Sequence, residues 1–471
     1  MRRWVAVATL CAGGLVVAAA CTGGASPPAS GPSSRPGSAP ASSSVAGQPG
    51  SRATAPTGLP DWPMYHRDPY RTGYEPTVPK ATGRLSQRWA VRLDGAVYAS
   101  PLVVNDLAIV ATEGGSLYGI RDGRVVWRRH VGTPVPLSRL PCGNIDPLGI
   151  TGTPVYDPAS RTVFAVAEVD DPVRHLLVGV DPATGRQTLS RPLDPPGADP
   201  KYLQQRGALA LARGSVYVPY GGLLGDCGPY IGRVIGSRTD GTGPLQVFTV
   251  PTSREGGIWA PPGPVLDRSG SMYVAVGNGA ALAPPYDYSD SVLKLDGGLK
   301  IASYFAPTGW AAENAADLDL GTQGPALVGD IVFITGKEGT AYTLSQSNLG
   351  GIGHPLASLR LCSSFGGTAQ LRDVVYVPCT DGLRAVRVDP AGRMTVLWQA
   401  PSGVAGSPVV GGGAVFALDT GAGRLYQLDP GTGRPVTSVS TGAVSRFATP
   451  ALHGSTILVG TMSGLVMYGW G

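Results

Sequence analysis

A pattern that recurs about every 48 residues limits what this chain can fold into more than any other feature. From Leu85 onward the chain repeats a small residue and Pro, a β-rich stretch, a Gly or Asp turn and a second such stretch. A Gly turn, a Leu-Tyr or Val-rich stretch and Asp-x-x-x-Gly complete each copy. Clear copies begin at Ser100-Pro101, Thr153-Pro154, Gly324-Pro325, Ser407-Pro408 and Thr449-Pro450, and weaker ones run over 207–218, 263–276 and 367–377. Eight copies between residues 85 and 470 have the size of four-stranded propeller blades, units that bury their apolar faces only against each other. The last copy stops after its third stretch, at Gly469-Trp470-Gly471, while a spare strand, Ser86 to Leu93, precedes the first. The expectation is an all-β, eight-bladed β-propeller whose last blade is closed by the N- and C-terminal strands, leaving no open edge. Two separate four-repeat domains are the rival arrangement, but no linker-like stretch divides the body.

Composition agrees with short strands and many turns: 69 Gly and 44 Pro in 471 residues, with only 15% charged. The net charge of +5 comes from scattered Arg without a basic run interleaved with aromatics, which argues against a nucleic-acid partner. At the N-terminus, Arg2 and Arg3 precede an apolar run ending in Ala18-Ala19-Ala20-Cys21, so residues 1–20 read as a secretory signal. Small residues before Cys21 resemble a bacterial lipobox, which implies lipidation of Cys21 and anchoring on the outer side of the cytoplasmic membrane, at the cell surface or in the periplasm. Ala18 stands where lipoboxes usually carry Leu, so plain cleavage after Ala20 or an uncleaved anchor stay open. All three readings place the body outside the cytoplasm. Residues 21–58 are Ser, Pro, Ala and Gly and read as a disordered tether, leaving 59–471 as the propeller domain.

With strands lettered A to D from the axis outward, the D-to-A and B-to-C loops share one face. Repeat phase puts Cys142, Cys227, Cys362 and Cys379 on that face. An even number of cysteines in an oxidising compartment implies disulfides, and loop placement pairs Cys362 with Cys379 and Cys142 with Cys227. Metal ligation is the rival; no C-x-x-C spacing or paired His supports it.

The segment Trp62-Pro63-Met64-Tyr65-His66-Arg67-Asp68 with Arg71-Thr72-Gly73, and turns such as Asp181-Pro-Ala-Thr-Gly185, resemble pyrroloquinoline-quinone (PQQ) repeat proteins. That family includes quinoprotein alcohol dehydrogenases and non-catalytic assembly scaffolds. One region is similar to the enzymes, particularly the polyvinyl-alcohol type. By that resemblance Trp259 would floor the quinone, Asn278 would bind Ca²⁺, Asp319 would act as catalytic base at the metal, and Lys337 would lie near the quinone oxygens. The Glu that completes the Ca²⁺ site would fall near Tyr220 to Tyr230, where only Asp226 offers a carboxylate. No C-x-x-C-H haem motif occurs, so electrons would need an external acceptor. G-x-S-x-G, P-loop and H-E-x-x-H motifs are also missing. Two functions follow: a tethered propeller that binds a protein or polymer partner on its loop face without a cofactor, or a PQQ- and Ca²⁺-dependent alcohol dehydrogenase.

Overall fold

A computed structural model describes residues 59–470; the signal, Cys21 and the tether lie outside the described residues. Eight antiparallel blades of four strands form the propeller. Blade 1 shows the plan: strand A (Leu102–Val104), B (Leu107–Thr112), C (Ser116–Arg121) and D (Arg124–His130). Strand A is fully buried, whereas D is mostly exposed, with Trp127 its one buried side chain, as expected of an outer strand in contact with water.

One repeated position accounts for much of the core. The strand B residue opposite the first residue of strand A is, in blade order, Ile109, Phe164, Tyr217, Tyr273, Phe333, Tyr376, Phe416 and Leu458. None of these side chains is more than 2% exposed. Burying each contributes roughly 1.5–3 kcal/mol, so the repeat stabilises the ring at eight places at once. A one-residue slip in any A–B register would turn such a side chain onto the wrong face.

Blade 8 takes strands A to C from the C-terminus (Ala451–His453, Thr456–Thr461, Gly464–Gly469) and strand D from Ser86–Arg92. The closing pair is antiparallel, running from Ser86 opposite Gly469 to Arg92 opposite Gly464. The eightfold ring and its closure are therefore those expected from the spare strand.

Opposite faces of the ring differ because of turn chemistry. Asn105 and Asp106, which join A to B in blade 1, both have positive φ (50° and 60°), as in the tight turn that matches strand twist. Such short connections make one face, the turn face. Longer D-to-A and B-to-C connections make the other, the loop face, including the helix α1 (Trp310–Ala316) between blades 4 and 5.

The segment leading into the ring fills its axis. Trp62 bridges Val103 of blade 1, and Tyr156 of blade 2 donates its N–H to the Pro63 carbonyl. Leu266 of blade 4, Gln370 of blade 6 and Val410 of blade 7 donate likewise to Pro69, Thr72 and Gly73. The buried Arg71 guanidinium donates to the carbonyls of Leu209 (2.8 Å) in blade 3 and Pro264 (3.3 Å) ahead of strand A of blade 4. Tyr65 accepts from Thr449 at the start of blade 8. Gly73 closes this plug with φ +61°, where a side chain would meet both the His66 ring and Ala369.

Candidate functional site

The four residues singled out by resemblance come together on the loop face. Gly277, at the end of strand B of blade 4, leaves no room for a Cβ between the Asp319 carboxylate and the Trp259 indole. The Asn278 N–H donates to Asp319 Oδ1 at 2.8 Å. Lys337 Nζ lies 2.5 Å from Asp319 Oδ2 and 2.6 Å from Asp317 Oδ1, and Asn278 Nδ2 also donates to Asp317 Oδ1. Burial pushes the Asp319 carboxyl up and Lys337 pulls it down, leaving it above the usual carboxylate range. The ammonium of Lys337 is in turn held above its ordinary value: burial opposes this, and the two aspartates outweigh it. Behind them Asp290 is buried, and burial with the Asp319 charge keeps it well above the ordinary range.

Asp226 stands elsewhere. It is exposed, next to Cys227, and accepts the Tyr230 hydroxyl at 2.5 Å. Among the described residues no group of three or more His, Cys, Asp or Glu side chains is placed to hold a metal ion. The buried Asn278 Oδ1 has no partner, one oxygen against the six to eight that Ca²⁺ takes. A tricarboxylate quinone above Trp259 would also meet Lys337 already occupied by two aspartates. These residues do not fit PQQ with Ca²⁺.

Disulfides join Cys142 to Cys227, from the loop between blades 1 and 2 to blade 3, and Cys362 to Cys379, from the loop entering blade 6 to the end of its strand B. Both pin loops of the same face.

A second cluster, at the axis, went unnoticed in the sequence. Four residues ahead of each strand A stand Tyr98, Thr151, Arg206, Pro261, Thr322, Phe365, Ala405 and Phe447. Tyr98, Thr151, Arg206, Pro261 and Phe447 surround, with Tyr65 of the plug, a cavity of about 10 Å³, room for about one water. The Arg206 guanidinium lies 4.5 Å from the Phe447 ring centre. Arg446 lies 5.5 Å from the same ring and 4.1 Å from that of Phe365. Trp259 meets Phe447 edge-on at 6.3 Å, so the two clusters touch through that ring. Neither guanidinium has a hydrogen-bond or ion-pair partner among the described residues. Burial holds Arg206 down to about 10, still charged at neutral pH. The carboxyl of buried Glu113, in the field of Arg206, is pushed up to about 8 by burial, against the pull of the Gly149 N–H that it accepts. What could have found this cluster is repeat phase rather than residue type, since each blade carries a different residue at the position.

Comparison with known proteins matches residues 77–220 to the family described as outer membrane protein assembly factor BamB. No curated protein matches the chain. The crystal structure of BamB from Moraxella catarrhalis superposes with a TM-score of 0.56 and 16% identity, covering 83% of this chain and 98% of that one. A computationally designed protein, Ika8, gives 0.48 at 12% identity, over 82% of this chain and 100% of that one. Virginiamycin B lyase from Staphylococcus aureus gives 0.43 at 13%, over 68% and 94%. Residues 77–220 thus match PQQ-like repeats, and the described residues as a whole share an eight-bladed β-propeller fold with that BamB structure.

Proposed function

We propose that this chain is an extracytoplasmic, membrane-tethered propeller that docks a protein or polymer partner on its loop face and needs no cofactor. The observation that carries this reading is Lys337 clamped between Asp317 and Asp319, because both Asp319 oxygens are already engaged, by Lys337 and by the Asn278 N–H, and an occupied ammonium is a poor quinone ligand. The two exposed leucines of the B-to-C loops in blades 3 and 4, Leu224 (58%) and Leu282 (62%), give the face apolar contact points. The name of the matched family, an outer membrane protein assembly factor, is that of a protein working beside other proteins outside the cytoplasm. A PQQ- and Ca²⁺-dependent alcohol dehydrogenase is the second reading, favoured by the unpartnered Asn278 Oδ1 beside the Trp259 region.

The test pairs photo-crosslinking in the cell with a PQQ titration. Crosslinkers at Leu224 and Leu282 should trap one discrete partner, and a crosslinker at Arg372 on the turn face should not. PQQ with Ca²⁺ should show no sub-micromolar binding and no alcohol oxidation with a dye acceptor. Sub-micromolar binding lost in Trp259→Ala, with oxidation lost in Asp319→Asn, would establish the dehydrogenase instead.

A further inference from the structure

We infer that the axial mouth of the loop face is a carboxylate-recognition site, in which Arg206 and Arg446, laid on Phe447 and Phe365, take the acidic side chain or the free C-terminus of a partner polypeptide. This deepens the docking reading above and rests on it.

The first support is unused hydrogen-bonding capacity. A guanidinium carries five N–H donors in a planar fork that matches a carboxylate. Several arginines here are engaged: Arg71 holds three carbonyls, Arg128 and Arg384 hold aspartates, and Arg191 holds Ser237 and two carbonyls. Arg206 and Arg446 contact aromatic faces instead, which orients the fork and leaves its edges open.

Charge is the second. Two cations on one ring repel, and the Arg446 charge is among the influences that lower the Arg206 guanidinium. Glu113, whose carboxyl is pushed up to about 8 by burial, is mostly protonated at neutral pH and leaves the pair uncompensated. An arriving carboxylate relieves that repulsion.

Shape supplies the third. Phe365, Phe447 and Trp259 are half-buried, so an apolar neighbour of the carboxylate has rings to pack on. The cavity that Arg206 and Phe447 line together with Tyr65 is only about 10 Å³, so a partner meets the arginines at the mouth with the tip of a chain and does not thread the axis. The Cys362–Cys379 disulfide pins the loop that carries Phe365, and Cys142–Cys227 ties together loops near Tyr98, which lowers the ordering cost of binding.

The experiment uses a fluorescein-labelled six-residue peptide of alternating phenylalanine and glutamate, read by anisotropy and by Trp fluorescence. An amidated version and a version with glutamine for glutamate separate side-chain from C-terminal recognition. We expect binding by the acidic peptide, at least tenfold weakening in Arg206→Gln and in Arg446→Gln, and partial recovery in Arg446→Lys. Thermal melts of the variants check that they are folded. Binding that ignores both Arg variants, equal binding of an amidated glutamine peptide, or no binding at all would overturn the site. Crosslinking from Leu224 and Leu282 in the double Arg variant separates the two claims. Crosslinks that persist without peptide binding leave the docking reading standing and remove the carboxylate site. Peptide binding without a crosslinked partner does the reverse.

Discussion

Lys337 and Arg206 are both cations of the loop face, joined through Trp259 and Phe447, and they are in opposite states. Lys337 is spent on two aspartates and closes a polar cluster that stabilises blades 4 and 5 against each other. Arg206 rests on a ring and holds no anion. The difference teaches that a cation's type and place do not determine its role; the neighbours that already occupy its donors do. In the first region charge is used up in folding, while in the second it is kept for a ligand.

Substitution should separate the two regions by what is lost. Lys337→Ala strands the buried Asp319 carboxylate without its cation and is expected to cost about 3–5 kcal/mol in urea unfolding. A loss below about 1 kcal/mol would break the comparison, because the cluster would then not be structural.

Glu113→Gln tests the uncompensated charge of the second region through pH. The folded protein holds the Glu113 proton up to about pH 8, the unfolded chain only to its ordinary value near 4.5. Folded protein therefore binds the proton more tightly, and this group's contribution to stability falls as pH rises from about 4.5 to about 8, then levels. Glutamine removes that loss and can still accept from the Gly149 N–H. The variant should be more stable than the parent by about 3 kcal/mol at pH 7 and nearly equal to it at pH 4, by unfolding at both pH values. A gain independent of pH would show that the carboxyl is ionised throughout.

Arg446→Ala should show the smallest effect on folding, within about 0.5 kcal/mol, because the side chain is exposed and unpaired. A large loss of stability there would mean that the axial stack is as structural as the Lys337 cluster.

The ring was legible because its punctuation is chemical. Small-residue–Pro pairs mark where six of the eight strands A begin, positive-φ residues such as Asn105 and Asp106 mark the turns, and a missing last strand matched the spare Ser86 to Leu93. Family spacing brought Trp259, Asn278, Asp319 and Lys337 to one place, and Gly277 is the contact point that makes this possible. Their pairing was not legible. Asp317 stands two residues before Asp319 at no position the family resemblance singles out, and spacing does not say that its carboxylate would reach Lys337 across the loop. Arg206, Phe365 and Phe447 escaped because a ring assembled from eight different residues has no motif. It is seen only once strand A starts are aligned. The segment from Trp62 to Gly73 was recognisable by resemblance, but its contacts with blades far apart in sequence were not.

That segment sets how the molecule takes a mechanical load. Leu59, the first described residue, lies on the turn face against Gly454, and Asp61 there accepts the Asn105 N–H. A pull from that end reaches the axial plug before it reaches the closing strand Ser86–Arg92. Contacts with blades 1, 2, 3, 4, 6, 7 and 8 spread the force over the ring, much as a cable gland spares the joint inside a housing. The seam of the propeller is thereby shielded from tension at the N-terminal end, and the loop face points the other way.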